Sequence, residues 1–143
     1  MARIMAIDYG RKRTGLAVTD PLQLVPGALT TVPTSGLMDY LRGYFEREQV
    51  ERVVLGHPRQ MDGSDSESMR YIAPFIGQFR KAWPHLPLEL FDERFTSVLA
   101  HRTMLDAGLG RKDRQNKALV DALSATILLQ DYMESRKFNP SGL

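Results

Sequence analysis

The chain predicts an α/β fold, a mixed sheet flanked by helices, and two observations carry that reading. An apolar run ends on a carboxylate at Asp8, passes through the glycine-bounded basic loop Gly10-Arg11-Lys12-Arg13, and returns as a second extended run. After Ser35 the apolar spacing changes, and helical stretches alternate with short apolar runs to the end of the chain. The first pattern implies antiparallel hairpins. The second implies helical crossovers and hence parallel pairing.

The first strand is expected over Ile4–Ile7 with Asp8 at its end, the second over about Leu16–Thr19, and a third over Gly27–Val32 after the Pro21–Pro26 turn. From Thr34 or Ser35, the positions Leu37, Leu41, Tyr44, Phe45 and Glu48 recur at helical spacing, predicting an amphipathic helix to about Gln49. Arg52-Val-Val-Leu55, bounded by Gly56 and Pro58, reads as a buried strand. A second helix is expected near Ser64, where Ser64 and Glu67 have capping-box spacing, with Ile72, Phe75, Ile76, Phe79 and Trp83 as its buried stripe. Pro74 lacks the donor a helix interior needs, which predicts a kink or a late start there. Leu86–Phe91 is a further strand, and Thr96 to about Ala107 a helix stopped by Gly108 and Gly110. Asp113 caps a last helix running to about Glu134, and residues 135–143 form a tail expected to fray.

With 143 residues the chain fits one domain spanning 1–143, large enough to bury a core without staples. It has no cysteine, which excludes thiolate catalysis and Cys-ligated zinc and leaves oxygen or imidazole as metal ligands. No apolar run approaches the roughly 20 residues of a membrane span, so a cytoplasmic protein without membrane contact is expected. A net charge of +2 does not by itself announce nucleic acid. Local clusters do more: Arg11, Lys12 and Arg13 stand in the hairpin loop, and Arg111, Lys112, Arg114 and Lys117 surround the start of the last helix. Cations at a helix start oppose its dipole, which suggests that they serve an anionic partner.

Three acids sit where acids are costly. Asp8 ends the first strand, Glu93 follows the apolar run Leu86–Phe91, and Asp121 lies in a helical segment that is apolar on nearly every side. Ligands gather outside the carboxyl ends of parallel strands in such sheets. Ala118, Ser124 and Ala125 share the stripe of Asp121 and would let that helix approach the sheet closely. Taken singly, each acid has a structural explanation: turn chemistry at Asp8, a pair with Arg94 or a helix cap for Glu93, and an ion pair with Lys117 or an arginine across the interface for Asp121. Metal binding explains all three together, because carboxylates are hard oxygen ligands suited to Mg²⁺.

Four motifs occur in order: Ala6-Ile-Asp8-Tyr9-Gly10-x-Lys12-Arg13-x-Gly15-Leu-Ala-Val18, Gly56-x-Pro58-x-x-Met61-Asp62-Gly63-Ser64, Asp92-Glu93-Arg94-Phe-Thr96 and Val120-Asp121-Ala122. Together they resemble the pre-16S ribosomal RNA nuclease family, also called Holliday junction resolvase-like, from about Ile4 to Tyr132. The resemblance implies a ribonuclease H-like fold, a five-stranded mixed sheet with the first strand central, and cleavage of nucleic acid phosphodiesters that depends on Mg²⁺, or on Mn²⁺ in its place. By motif position the catalytic, metal-holding carboxylates fall on Asp8, Glu93 and Asp121, with Asp92 the candidate for a fourth. Arg11, Lys12, Arg13, Arg111, Lys112 and Arg114 are the expected nucleic-acid contacts.

The expected role is processing the 5′ end of precursor 16S ribosomal RNA, with RNA favoured over DNA and ribosomal precursor particles as partners. Resolution of four-way DNA is the alternative, and it would need a two-fold dimer rather than a monomer. A non-catalytic nucleic-acid-binding module of the same fold is a further alternative. The Asp-x-Gly hairpin also resembles the phosphate hairpin of actin-like and sugar-kinase ATPases, but 143 residues leave no second lobe to close over a nucleotide. His57, His85 and His101 lack the mutual spacing of a metal site, and His57 reads as a loop histidine. Tyr9 is expected to pack at the hairpin rather than stack on a base.

Overall fold

The structure is a computed structural model that describes residues 2–57, 69–92 and 117–138. Five strands form one sheet: β1 (Arg3–Asp8), β2 (Arg13–Thr19), β3 (Pro26–Pro33), β4 (Val50–His57) and β5 (Leu88–Asp92). Their order is β3-β2-β1-β4-β5, with β1 central. β1 pairs antiparallel with β2, and β2 with β3, as short connections dictate. β1 pairs parallel with β4, and β4 with β5, as the helical crossovers require. The mixed sheet is the expected one. Three helices are described: α1 (Leu37–Arg47), α2 (Met69–Ala82) and α3 (Lys117–Phe138).

Strand alternation sends neighbouring side chains to opposite faces. Met5 and Ile7 of β1, Leu16 of β2, and Val53 and Leu55 of β4 pack in one cluster with Leu37, Leu41 and Tyr44 of α1 and Ile72, Phe75 and Phe79 of α2. Ile4 and Ala6, Ala17 and Val54 pack in a second cluster with Ala125, Leu128, Leu129 and Tyr132 of α3. The sheet thus lies between α1 and α2 on one face and α3 on the other. Met5, Ile7, Leu16, Leu55, Phe79 and Leu128 are fully buried, and each such side chain contributes about 1.5–3 kcal/mol relative to exposure. Ala6, Ala17 and Ala125 are the small residues that let α3 lie close to the sheet.

Several boundaries differ from expectation for identifiable reasons. β2 begins at Arg13 because its ladder with β3 extends to the pair Arg13 and Pro33. His57 closes β4 rather than following it, since the β4–β5 ladder continues to the pair His57 and Asp92. Thr34–Gly36 form a 3₁₀ turn before α1. α2 runs through Pro74, and Ile72, Phe75 and Phe79 form its buried stripe as expected. α3 continues to Phe138, past the expected helix end at about Glu134. The expected start of the second helix at Ser64, the helix over Thr96–Ala107 and the Asp113 cap lie outside the described residues.

Candidate active site

Asp8 is the last residue of the central strand. Along β1 it keeps the alternation of Ile4 and Ala6, which face α3, and it stands opposite Gly15 of β2. Cross-strand neighbours project to the same face, so the residue beside the Asp8 carboxylate on β2 contributes no side chain. Asp8 is half-buried and engaged with neighbouring groups. The parallel strands β4 and β5 end at the same edge of the sheet, on the paired positions His57 and Asp92. Three adjacent parallel strands therefore deliver Asp8, His57 and Asp92 to one edge, the edge where ligands collect in open sheets.

Asp121 belongs to the first turns of α3. Eleven residues separate it from Tyr132, three turns of helix and about 20°, so position 121 lies on the stripe that carries the buried Ala125, Leu128 and Tyr132. Glu93, Arg111, Lys112 and Arg114 lie outside the described residues, as does the side chain of Asp121. Among the described residues no three acidic or imidazole groups form a metal centre.

The loop between β1 and β2 is held from the side of α1 and α2. Thr34 donates its hydroxyl proton to the Gly10 carbonyl at 2.6 Å and its backbone N–H to the Lys12 carbonyl at 3.0 Å. Thr14 and Thr34 hydroxyls meet at 2.9 Å. A hydroxyl has one proton, and that of Thr34 is directed to Gly10, so Thr14 is the donor in this contact. Gly10 itself is sterically required, because a Cβ there would collide with the Arg13 backbone carbonyl. The Tyr9 ring packs 5.0 Å from that of Phe75, as expected for a packing residue, and burial raises the pKa of its phenol. Two residues on, the Arg11 guanidinium lies 5.0 Å from the ring centroid of Tyr71. Lys12 is exposed, and Arg13 is half-buried and engaged.

A polar tether fixes α3 to the far strands. Arg52 of β4 donates to the Tyr132 hydroxyl at 2.6 Å, Tyr132 donates to Glu89 of β5 at 2.8 Å, and Arg52 meets Glu89 directly at 3.0 Å. The Tyr132 hydrogen bond, followed by the nearby negative charge, holds the Arg52 pKa above its usual value despite partial burial. Phe91 packs edge-on against the Tyr132 ring at 5.9 Å. Sequence reading missed Thr34, Tyr71, Arg52 and Tyr132. The one available signal was Arg52, a cation opening an apolar strand run.

A model of the family described as RuvX, Holliday junction resolvase, matches residues 2–135. The chain belongs to the RuvX family. A Phocaeicola vulgatus protein named "Putative pre-16S rRNA nuclease" is 62% identical to this RuvX-family chain over 138 residues, covering 96% of the chain and 99% of the relative. A Bacteroides thetaiotaomicron protein of the same name is 61% identical and covers 96% of the chain and 100% of the relative. The fold is that of the RuvC-like resolvases. Thermus thermophilus RuvC, solved with a Holliday junction substrate, superposes with a TM-score of 0.52 at 18% identity over 93% of this chain and 96% of its own. The fowlpox virus resolvase, solved with Holliday junction DNA, gives 0.52 at 16% identity over 93% and 97%. No helix among the described residues is long and apolar enough to cross a membrane.

Proposed function

We propose that this chain is a metal-dependent nuclease that hydrolyses phosphodiester bonds in nucleic acid, with the 5′ end of precursor 16S ribosomal RNA as its substrate in the cytoplasm. One observation carries the reading. Asp8 ends the central strand on the face covered by α3, and the buried stripe of that helix includes position 121. Tyr132 sits in the cluster of Ile4 and is tethered to Arg52 and Glu89, near the amino ends of β4 and β5. The eleven residues back to Asp121 rise about 16 Å, comparable to the about 13 Å from Ile4 to Asp8 along β1. Since α3 also packs on β2 and β3, it crosses this face of the sheet, and the similar lengths support a place for Asp121 near the Asp8 end of β1. Glu89 and Phe91 of β5 both contact Tyr132, so β5 also borders α3, and Glu93 joins the proposed set by its place in the Asp92-Glu93-Arg94 motif.

A half-buried carboxylate beside a glycine, at an edge shared by three strand ends, fits a hard divalent cation. In this reading Asp8, Glu93 and Asp121 hold Mg²⁺ or Mn²⁺, with Asp92 as a further ligand. Bound there, the ion supplies an activated water and offsets charge at the phosphate. The chain's own cations position the substrate: Arg11, Lys12 and Arg13 grip phosphates flanking the cut, and Arg111, Lys112 and Arg114 give a second contact. Such contacts set register without reading sequence.

The test is cleavage of single-stranded RNA, duplex RNA and four-way DNA in Mg²⁺, run beside Asp8→Asn. RNA cleavage that disappears in the variant supports the proposal. The family's description favours a second reading, resolution of four-way DNA, which predicts paired, symmetric cuts by a homodimer. Cleavage of RNA by a monomer that leaves four-way DNA uncut counts against it.

A further inference from the structure

The hairpin loop docks on α2 through two aromatic contacts in register, Tyr9 on Phe75 and Arg11 on Tyr71. Phe75 and Tyr71 are one turn apart on α2, so they stand on the same face of the helix. The lower pair belongs to the core, for Phe75 is 3% exposed and Tyr9 packs against the cluster. The upper pair faces water: Tyr71 is 41% exposed, and Arg11 is exposed as well. An exposed tyrosine contributes little to a core. Beside a basic loop it offers an aromatic face to another π-system.

A guanidinium over an aromatic ring uses its face in that contact and keeps its edge N–H groups for phosphate oxygens. Arg11 follows Asp8 by three residues, which a chain spans in at most about 11 Å. The backbone of Arg11 is thus within about 11 Å of that of Asp8, while its contact with Tyr71 lies on the α2 side of the loop, so a strand passing over the loop can meet both.

We propose that Arg11 and Tyr71 form a platform that takes one unpaired base by stacking and a neighbouring phosphate on the guanidinium edge, so that the enzyme engages single-stranded nucleic acid next to the cleavage point. This rests on the nuclease reading above and adds the strandedness of the substrate. Bases within a duplex have their faces covered by their neighbours, whereas an unpaired base is free to stack on a protein ring, and such stacking tolerates any base. The platform therefore selects for strandedness rather than sequence.

The experiment measures binding of a fluorescent single-stranded RNA, its abasic counterpart and a duplex of the same length to the catalytically silenced Asp8→Asn protein, with and without Tyr71→Ala or Tyr71→Phe. Stacking of one base predicts that Tyr71→Ala weakens single-strand binding about tenfold or more, weakens duplex and abasic binding far less, and that Tyr71→Phe restores the wild-type value. Equal single-strand affinity with and without Tyr71→Ala overturns the platform. An equal loss on all three ligands overturns it too, since that marks a general effect on the loop. These outcomes leave the nuclease reading standing if wild-type protein cleaves RNA. Failure of wild-type protein to bind or cleave any of the ligands overturns both.

Discussion

The hydroxyl of Thr34 donates to the carbonyl of Gly10 across 24 residues of sequence, at 2.6 Å. This contact, with the Thr34 N–H on Lys12 and the Thr14 hydroxyl behind it, fixes the loop that carries Arg11 and Lys12. Thr34→Val removes the hydroxyl at nearly constant volume and strands two partners, at a cost of about 1–3 kcal/mol. If the loop positions phosphate, cleavage falls about ten- to a hundredfold while Thr34→Ser stays close to wild type. Urea unfolding and single-turnover cleavage of the two variants check this.

Gly10→Ala should act on the same loop by a different route. The added methyl meets the Arg13 backbone rather than a yielding side chain end, and such overpacking costs about 1–3 kcal/mol. A lowered urea midpoint at unchanged slope is expected. A midpoint equal to wild type would show that the turn relaxes freely.

Tyr132→Phe keeps the ring against Phe91 but removes the hydroxyl shared by Arg52 and Glu89. Because Arg52 and Glu89 still meet directly, the loss is expected to be modest, about 1–2 kcal/mol. Arg52→Ala, which removes the cation from both contacts, should cost more. The two midpoints together test whether this tether anchors α3.

Asp131 is half-buried on α3, and burial, then the charge of Glu134, raises its pKa. A carboxyl that binds its proton more tightly when folded weakens the native state at neutral pH. The penalty is absent below the unfolded value of 3.8 and grows as pH rises through the folded pKa. Asp131→Asn should therefore stabilise the protein at pH 7, by about 0.2–0.5 kcal/mol from relief of the like-charge pair. Below pH 3.8 it should give no advantage. Thermal melts across this range provide the check.

The parts of this fold that sequence reveals are those written in local periodicity. Leu37, Leu41 and Tyr44 mark one face of α1, and Ile72, Phe75 and Phe79 one face of α2, because burial on a helix repeats with its turn. Asp8 at the end of an apolar run marked where the central strand stops. Thr34 was hidden because a threonine after a proline is ordinary turn chemistry until the distant Gly10 is seen beside it. Arg52 and Tyr132 are 80 residues apart, and no local pattern joins them. The end of α3 was placed too early since Glu134 and Ser135 break the apolar stripe, although an exposed helical turn does not need one. Of the expected site, Asp8 and the hairpin cations lie in described surroundings. Glu93 and the basic residues before α3 lie outside them.

The proposed nuclease depends above all on Asp8 as a metal-holding carboxylate. Its most direct test is Mg²⁺-dependent cleavage of single-stranded precursor RNA by wild type and Asp8→Asn at matched concentration, with unfolding midpoints recorded on the same samples. Cleavage by wild type, none above background by the variant, and closely similar midpoints are expected. Undiminished cleavage by Asp8→Asn would contradict that role for Asp8.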